Sequence, residues 1–184
     1  YVKTNQTLFK SNVAKISGGA ISITNNLPPH RDICGEFVHN YISKSLINIY
    51  SVFKNNEAQD SGGAIYGKIL NSVRNKNCSF INNFAKARGG TIFLIHINSY
   101  ISRLSQFLKN SCYQDGGSIF VNYFYSVLIQ HSKFEENVAI RGGTLFLLQC
   151  GIRKLKTVFQ QRSKVLAFDN RVRILQSKFH DNIG

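Results

Sequence analysis

Acidic side chains could give this chain a hydrolytic activity, because hydrolysis of a glycosidic bond needs two carboxylates facing each other across the sugar. The nine candidates are Asp32, Glu36, Glu57, Asp60, Asp115, Glu135, Glu136, Asp169 and Asp181. Glu135 and Glu136 are neighbours, so they would point to opposite sides of an extended chain, and Asp60 and Asp115 are expected at the same position of two separate repeats. A lyase with a Lys or Arg base needs no such pair, but nothing distinguishes one of the 23 cationic residues. We predict that the chain is not an enzyme; a carbohydrate-processing lyase or hydrolase is the alternative.

The spacing of histidine and cysteine predicts no metal site and no cofactor. The chain contains His30, His39, His96, His131 and His180, and its cysteines are Cys34, Cys78, Cys112 and Cys150. Zinc ligands come in close pairs, whereas successive cysteines here are 34 to 44 residues apart. Cys78 and Cys112 replace small residues of the repeats described below, so we expect both to be buried and reduced, with disulfide pairing as the alternative. Cys34 and Cys150 stay unassigned.

Positive charge dominates the composition. The 23 Lys and Arg against 9 Asp and Glu give a formal net charge of +14, which attracts anionic partners. Cations are densest near the C-terminus, in a predicted binding cluster that consists of Arg153, Lys154, Lys156, Arg171 and Arg173. Its expected partner is an anionic glycan, a membrane surface or an acidic stretch of another chain, and a merely solvated face is the alternative. Nucleic acid is not expected, because no nucleic-acid-binding module accompanies the charge.

Two sequons could carry N-glycans. They are Asn5-Gln-Thr7 and Asn77-Cys-Ser79. We expect glycans at Asn5 and Asn77 if the chain is made in a eukaryotic secretory pathway.

Internal repeats are the elements that must position all of these residues. Each repeat has a small residue, Phe two residues later and Asn three residues after that Phe; five of the six copies continue with Gly-Gly, a small residue and an aliphatic residue. The pairs are Phe9 and Asn12, Phe53 and Asn56, Phe80 and Asn83, Phe107 and Asn110, Phe134 and Asn137, and Phe179 and Asn182. Successive phenylalanines are 44, 27, 27, 27 and 45 residues apart.

Short strands rich in Ile, Phe, Leu and Thr follow the glycines without any helical periodicity. This pattern predicts an all-β parallel β-helix, or solenoid, with coils of about 22–27 residues whose equivalent residues stack ~4.8 Å apart. We expect Phe to stack in the interior, Asn to form a hydrogen-bonded ladder at a left-handed corner, and Gly-Gly to permit a sharp turn. Residues 1–184 would form one segment of a longer solenoid, with two inserted loops near residues 24–46 and 149–172. Two shorter coils, one lacking the motif, are the alternative for each long interval.

The Phe-x-x-Asn and Gly-Gly-Ala-Ile motifs resemble the repeat pair of the chlamydial polymorphic membrane proteins and similar repeats of ciliate and other microbial surface proteins. Gly-Gly-Ala-Ile stands unaltered at residues 18–21 and 62–65, and Gly-Gly-Thr-Ile, Gly-Gly-Ser-Ile and Gly-Gly-Thr-Leu occur later. The resemblance implies a right-handed parallel β-helix that acts as a passenger or surface adhesin, outside the cell or at its surface.

Side chains that alternate with the inward aliphatic residues after Gly-Gly should point outward. These positions hold Tyr66, Phe93, Phe120 and Phe146. A contiguous apolar strip usually marks an interface, and the alternative is that a loop from one of the insertions covers it. We predict a structural or adhesive segment of a secreted or cell-surface protein, which binds through this lateral strip and assembles with itself or with partner chains.

Overall fold

The computed structural model describes residues 1–25, 44–148 and 172–184, and the backbone alone of residues 156–159. All regular elements among them are β-strands, which confirms the all-β class, and none of these residues forms a helix able to cross a membrane. The strands in chain order are β1 (Val2–Asn5), β2 (Leu8–Lys10), β3 (Val13–Ala14), β4 (Ile21–Thr24), β5 (Ser45–Ile49), β6 (Val52–Lys54), β7 (Glu57–Ala58), β8 (Ile65–Lys76), β9 (Ser79–Ile81), β10 (Phe84–Ala85), β11 (Ile92–Arg103), β12 (Gln106–Leu108), β13 (Ser111–Cys112), β14 (Ile119–Gln130), β15 (Lys133–Glu135), β16 (Leu145–Leu148), β17 (Lys156–Phe159), β18 (Val172–Leu175) and β19 (Lys178–His180).

Three stacked sheets form the walls of the solenoid. Sheet 1 contains β2, β6, β9, β12, β15 and β19, and sheet 2 contains β3, β7, β10 and β13. Sheet 3 contains the long strands β8, β11 and β14, together with β1, β4, β5, β16, β17 and β18. Strand pairs within the described part of the chain are parallel, except that β17 runs antiparallel to β16. The predicted parallel β-helix is confirmed.

Both long repeat intervals interrupt sheet 3 at the same place. β4 pairs with the first half of β8 and β5 pairs with its second half, so residues 26–43 connect two strands of a single coil. β16 and β18 pair with the two halves of β14 in the same way. In both coils the additional residues are therefore inserted into the chain at the point that corresponds to the middle of sheet 3. Residues 26–43, 149–155 and 160–171, which include Cys34 and Cys150, lie outside the described residues.

Left-handed residues form the corners, one position earlier than predicted. The residue before each ladder Asn, rather than the Asn itself, has a positive φ, and these residues are Ser11, Asn55, Asn82, Lys109, Glu136 and Asp181. The corner between sheets 3 and 1 is formed by Gln6, Tyr50, Asn77, Leu104, His131 and Gln176, and the middle of sheet 3 is bent at Ile69, His96 and Tyr123. The left-handed residue turns the chain, and the Asn that follows it is left free to place its amide in the interior.

The Gly-Gly pair between sheets 2 and 3 requires glycine for two separate reasons. The first glycine has a positive φ, +61° at Gly89, which L-residues rarely adopt. The second glycine has no positive φ, but a Cβ at Gly90 would overlap the carbonyl oxygen of Gly117 in the next coil. The pair therefore provides both the predicted sharp turn and the close approach of neighbouring coils.

The interior core is built around the Phe column. Neighbouring rings are stacked with centroids 4.6–4.9 Å apart, from Phe9 through to Phe179. The four middle rings are fully buried and the two outermost rings are half-buried. Aliphatic side chains of sheet 3 pack against this stack in one contiguous cluster. The column is thus the axis of the hydrophobic core, which runs along the solenoid.

The Asn column forms a ladder along the same direction. Each Asn Nδ2 donates to the Oδ1 of the Asn in the next coil, at 2.8–3.0 Å from Asn12 to Asn182. At Asn83, Nδ2 also donates to the carbonyl oxygen of Phe53, and Oδ1 accepts a second bond from the backbone N–H of Asn56. A buried amide with both donors and both acceptor positions in use carries no desolvation penalty from unpaired groups.

A second interior row of polar side chains lies on the inner side of sheet 3. Thr4 donates to Asn48 at 2.8 Å, Asn48 donates to Asn75 at 2.7 Å, and Asn75 donates to the hydroxyl of the fully buried Tyr100 at 3.3 Å. The available sequence signal is the recurrence of Asn48, Asn75 and Ser102, each three residues before a small residue of the repeat. This row adds a second polar constraint on how the coils align.

The described cysteines occupy buried positions in the small-residue columns. The thiol of Cys78 donates to the carbonyl oxygen of Lys76 at 3.4 Å, as the serines of that column do to their own neighbours. Cys112 packs between Ala85 and Ala139. Both thiols are free, and burial raises the pKa of both, to about 11 at Cys112.

Cys112→Ala should be tolerated and should reduce sensitivity to alkali. Alanine fits because the equivalent residues of other coils are Ala58, Ala85 and Ala139. A thiol in the unfolded chain loses its proton near pH 9, whereas the folded thiol keeps it up to about pH 11. The unfolded state binds fewer protons in this window, so the free energy of unfolding falls as pH rises, by roughly 1–2 kcal/mol more in the wild type than in the variant. Urea unfolding at pH 8 and pH 10.5 measures this difference, and an equal decline in the two proteins would contradict it.

Candidate interaction surface

The predicted aromatic row forms outside the interior core. Tyr66, Phe93, Phe120 and Phe146 lie in register on β8, β11, β14 and β16. Their rings are parallel to within 4°, with neighbouring centroids 4.9–5.5 Å apart. They form a cluster of their own, separate from the Phe9 to Phe179 stack. The repeat therefore brings the four side chains together on the outer side of sheet 3.

The exposure of this row differs from the expected open strip. Phe93, Phe120 and Phe146 are only 8%, 3% and 4% exposed, and Tyr66 at the end of the row is half-buried. Stacking covers both faces of each inner ring, and Ile95 and Leu148 pack against the cluster. The row is a covered stack with one accessible end, and binding through it stays a prediction.

A cluster of Arg88, Asp115 and Arg141 covers part of the row. Arg141 Nε and Nη2 donate to the two carboxylate oxygens of Asp115 at 2.6 and 2.9 Å, and Arg88 Nε donates to the same carboxylate at 3.2 Å. The Arg88 guanidinium group lies 5.6 Å from the centroid of the Phe120 ring. The Arg141 guanidinium group lies 5.3 Å from the centroid of the Phe146 ring. The carboxylate is 2% exposed. Cation–π contacts and charge-assisted hydrogen bonds thus hold two arginines over the rings.

Alignment of the repeats on Phe reveals this cluster only in part, because Arg88 and Asp115 are each the eighth residue after Phe whereas Arg141 is the seventh. Asp60 is the seventh residue after Phe53 and Asp115 is the eighth after Phe107. Backbone bonding accordingly places Asp60 in register with Ala87, and Asp115 in register with Arg88 and Arg141. The expected equivalence of the two acids is wrong, because Asp60 lies two residues before Gly62 whereas Asp115 lies immediately before Gly116. The cluster occupies the position immediately before Gly-Gly, so alignment on the glycines reveals the order Arg, Asp, Arg.

Asp115→Ala should lower the free energy of unfolding by about 1–2 kcal/mol, because it removes charge-assisted hydrogen bonds that half-exposed arginines recover only partly from water. It should also release the guanidinium groups from Phe120 and Phe146 and so increase binding of an apolar fluorescent dye. Urea unfolding and dye fluorescence measure the two effects. Glu135→Ala is the control, since it breaks a surface pair with Lys133, and the free energy of unfolding should hardly change. Equal losses in the two variants would contradict a covering role.

Two titratable groups beside the row keep their neutral forms at neutral pH. Burial raises the pKa of Tyr66, and the nearby charge of Asp60 raises it further. Burial lowers the pKa of His96, as does the charge of Lys68, and the imidazole stacks on Tyr123 at 4.6 Å. Residues 1–25, 44–148 and 172–184 contain no group of His, Cys, Asp and Glu side chains arranged to hold a metal ion.

Only one member of the predicted C-terminal basic cluster is fully described. Arg173 is exposed on β18, in register with Leu128 of β14. Lys156 belongs to β17, of which only the backbone is described, and Arg153, Lys154 and Arg171 lie outside the described residues.

The two sequons differ in accessibility. Asn5 is exposed at the end of β1. Asn77 is half-buried at a left-handed corner, with φ of 52°, and is followed by the buried Cys78. Of the two, Asn5 presents its amide more openly to solvent.

Comparison with known families identifies the repeat. Residues 6–24 and residues 50–68 each match the Chlamydia polymorphic membrane protein repeat. Each match contains the Phe, the ladder Asn and the Gly-Gly pair whose structural roles are described above. The comparisons with curated proteins and with solved structures gave no match. This chain is therefore a β-helical repeat protein in which two segments, residues 6–24 and 50–68, are similar to the Chlamydia polymorphic membrane protein repeat.

Proposed function

We propose that this chain is a structural and adhesive segment of a protein at the cell surface, without catalytic activity of its own. The observation that carries the proposal is the continuous register of the Phe and Asn columns from Phe9 to Phe179, combined with a repeat typical of a membrane-protein family. A solenoid with a uniform interior is a rigid scaffold, and its function resides on its lateral surfaces.

The state of the acidic residues supports a non-catalytic role. A glycosidase needs one carboxylic acid with a raised pKa beside an ionised carboxylate. The Asp115 carboxylate is bonded to two arginines, and the hydrogen bond from Lys133 lowers the pKa of Glu135. Glu136 pairs with Lys109 at 3.4 Å. All three carboxylates are paired with cationic side chains, which suits an electrostatic surface better than proton transfer.

Surface location is tested on cells that make the full protein. An antibody raised against the folded chain should label intact cells as strongly as permeabilised cells. Labelling that requires permeabilisation would contradict the proposed location.

Absence of catalysis is tested on the purified chain with acidic and neutral polysaccharides as substrates. No new reducing ends and no unsaturated products should appear over a prolonged incubation. Release of either product, lost in Asp115→Ala, would instead favour the carbohydrate-processing alternative.

Assembly is tested by sedimentation of the purified chain over a range of concentrations. Association with itself or with a partner chain is expected to involve the accessible end of the aromatic row, so Tyr66→Ser should weaken it. Tyr113→Ser, which removes an exposed ring that does not belong to the row, is the control. A monomer at every concentration, in the presence and absence of partner chains, would contradict assembly.

A further inference from the structure

The outward side of sheet 3 beyond its central bend carries only positive charge. This region is formed by β1, β5, the second halves of β8, β11 and β14, and β18. Its exposed cations, here called the basic face, are Lys3, Arg74, Lys76, Arg103 and Arg173. No Asp or Glu occurs in any of these strand segments. Within the described part of the chain, the ion pairs formed by Lys and Arg involve residues outside this face.

Strand register arranges these cations as two columns parallel to the solenoid axis. One column contains Lys3, Arg74 and Arg173, with Ile47, Ile101 and Leu128 between them. The other places Lys76 directly beside Arg103. Coils are ~4.8 Å apart and the two columns about 7 Å apart, so the positive charge forms a stripe that is long and narrow.

Like charges in adjacent strands favour a bound anion where several of them align. The direct juxtaposition of Lys76 and Arg103 destabilises the free protein. A bound anion would remove this repulsion, and the summed potential of the stripe would attract it at long range.

Polar groups beside the stripe favour a sugar polymer over nucleic acid. Ser45, Ser72, Ser99 and Ser126 form a row next to the cations, with the Ser72 hydroxyl 3.2 Å from that of Ser45. Asn98 donates to Asn71 at 3.1 Å along the same edge. Hydroxyl and amide groups pair with sugar hydroxyls, whereas single-stranded nucleic acids require successive aromatic rings for stacking. The exposed rings of Tyr50 and Tyr125 beside the columns belong to different coils and different positions of the repeat, so they do not form such a row. A narrow stripe also matches a linear chain better than the plane of a membrane.

We propose that the basic face binds a linear anionic polysaccharide, sulfated or carboxylated, laid along the solenoid axis. Arg74, Lys76 and Arg103 contact its anionic groups, and the half-buried Ser45, Ser99 and Ser126 contact its hydroxyls. This inference names the ligand of the adhesive function proposed above and rests on that function only for its biological setting.

The test measures binding of the purified chain to heparin, as the anionic probe, and to uncharged dextran at several salt concentrations. Arg74→Gln, Lys76→Gln and Arg103→Gln are combined in one variant. Heparin binding at 150 mM salt should weaken about tenfold or more, and the slope of log Kd against log salt should fall by about two, because several contacts that release counterions are lost. Dextran should not bind. Arg103→Gln alone should give an intermediate loss, which keeps the test informative if the triple variant folds poorly.

The matched control combines Lys10→Gln, Lys54→Gln and Lys86→Gln. It removes the same charge from exposed positions on sheet 1 and beside sheet 2, where Lys10 and Lys54 are also partners in adjacent coils. The control should weaken heparin binding by no more than about threefold, which is the loss expected from the lower net charge alone. Equal losses in both triple variants, or retention of full affinity by the basic-face variant, would overturn the proposal.

Two further probes separate ligand classes. A single-stranded DNA oligonucleotide and phosphatidylserine vesicles should bind more weakly than heparin and should be affected equally by both triple variants. If either probe depends on the basic face as strongly as heparin does, the assignment to a polysaccharide is overturned. If the wild-type chain does not bind heparin but intact cells are labelled by the antibody, this inference alone is overturned. If labelling is confined to permeabilised cells, the proposed function is overturned and the measured heparin binding stands.

Discussion

Gly90→Ala is expected to destabilise the protein by more than about 4 kcal/mol, which is the range of the most damaging single substitutions. The backbone of Gly90 is not left-handed, so strain in φ is not the reason. Its Cβ would overlap the carbonyl oxygens of Gly117 and Ser111 and lie 2.6 Å from the carbonyl carbon of Ser111. These are backbone atoms of the next coil. They can move away only if the coils separate, and separation would stretch the backbone bonds Thr91 N–H to Ser118 O and Gly90 N–H to Gly116 O.

Gly67→Ala is the matched control, because it adds the same methyl group elsewhere in the interior. A Cβ there would approach Leu94 Cδ2 at 2.7 Å and Leu70 Cδ1 at 2.8 Å, which are the ends of flexible side chains. Rotation of those side chains relieves the contact, so we expect a loss of about 1–2 kcal/mol. Urea unfolding followed by circular dichroism measures both variants. A Gly90→Ala protein as stable as Gly67→Ala would show that the coils are not held at the spacing described here.

The parts of the fold that could be predicted from sequence are those in which one residue type repeats at one position. Phe107 and Asn110 recur in every coil, so stacking of successive coils places ring on ring and amide on amide. The preference of Asn for left-handed geometry suggests that the ladder residue itself forms the corner. The structure assigns that backbone to the residue before it, Lys109 in this coil, because a buried amide must reach both neighbouring coils.

Features that depend on contacts between unlike residues could not be predicted in the same way. Arg88, Asp115 and Arg141 share one column but have no common residue type, so no consensus marks them. Strand alternation correctly places Phe120 on the outer side of sheet 3, but alternation carries no information about the guanidinium group that covers it. The basic face is likewise a product of register, which brings cations from distant parts of the chain together, from Lys3 to Arg173.

Asn83→Ala is expected to lower the free energy of unfolding by about 3–5 kcal/mol, because the change leaves buried donors without acceptors. Asn83 Oδ1 accepts from both the backbone N–H and the Nδ2 of Asn56, at 3.0 and 2.9 Å. Its own Nδ2 donates to Asn110 and to the carbonyl oxygen of Phe53. Alanine supplies none of these groups, and water cannot replace them readily because Asn56 and Asn83 are 1% and 0% exposed.

Asn71→Ala is the control for the loss of an Asn–Asn bond as such. Asn71 is exposed and accepts from Asn98 Nδ2 at 3.1 Å, so water can replace the lost partner and the expected change is below about 1 kcal/mol. Urea unfolding compares the two variants, and hydrogen exchange of the Asn56 amide reports on the ladder directly. That amide should exchange faster in Asn83→Ala and at the wild-type rate in Asn71→Ala. The ladder does not align successive coils if the two variants lose the same free energy of unfolding, or if the Asn56 amide stays protected in Asn83→Ala. The Phe stack and the backbone hydrogen bonds between coils would then have to provide that alignment alone.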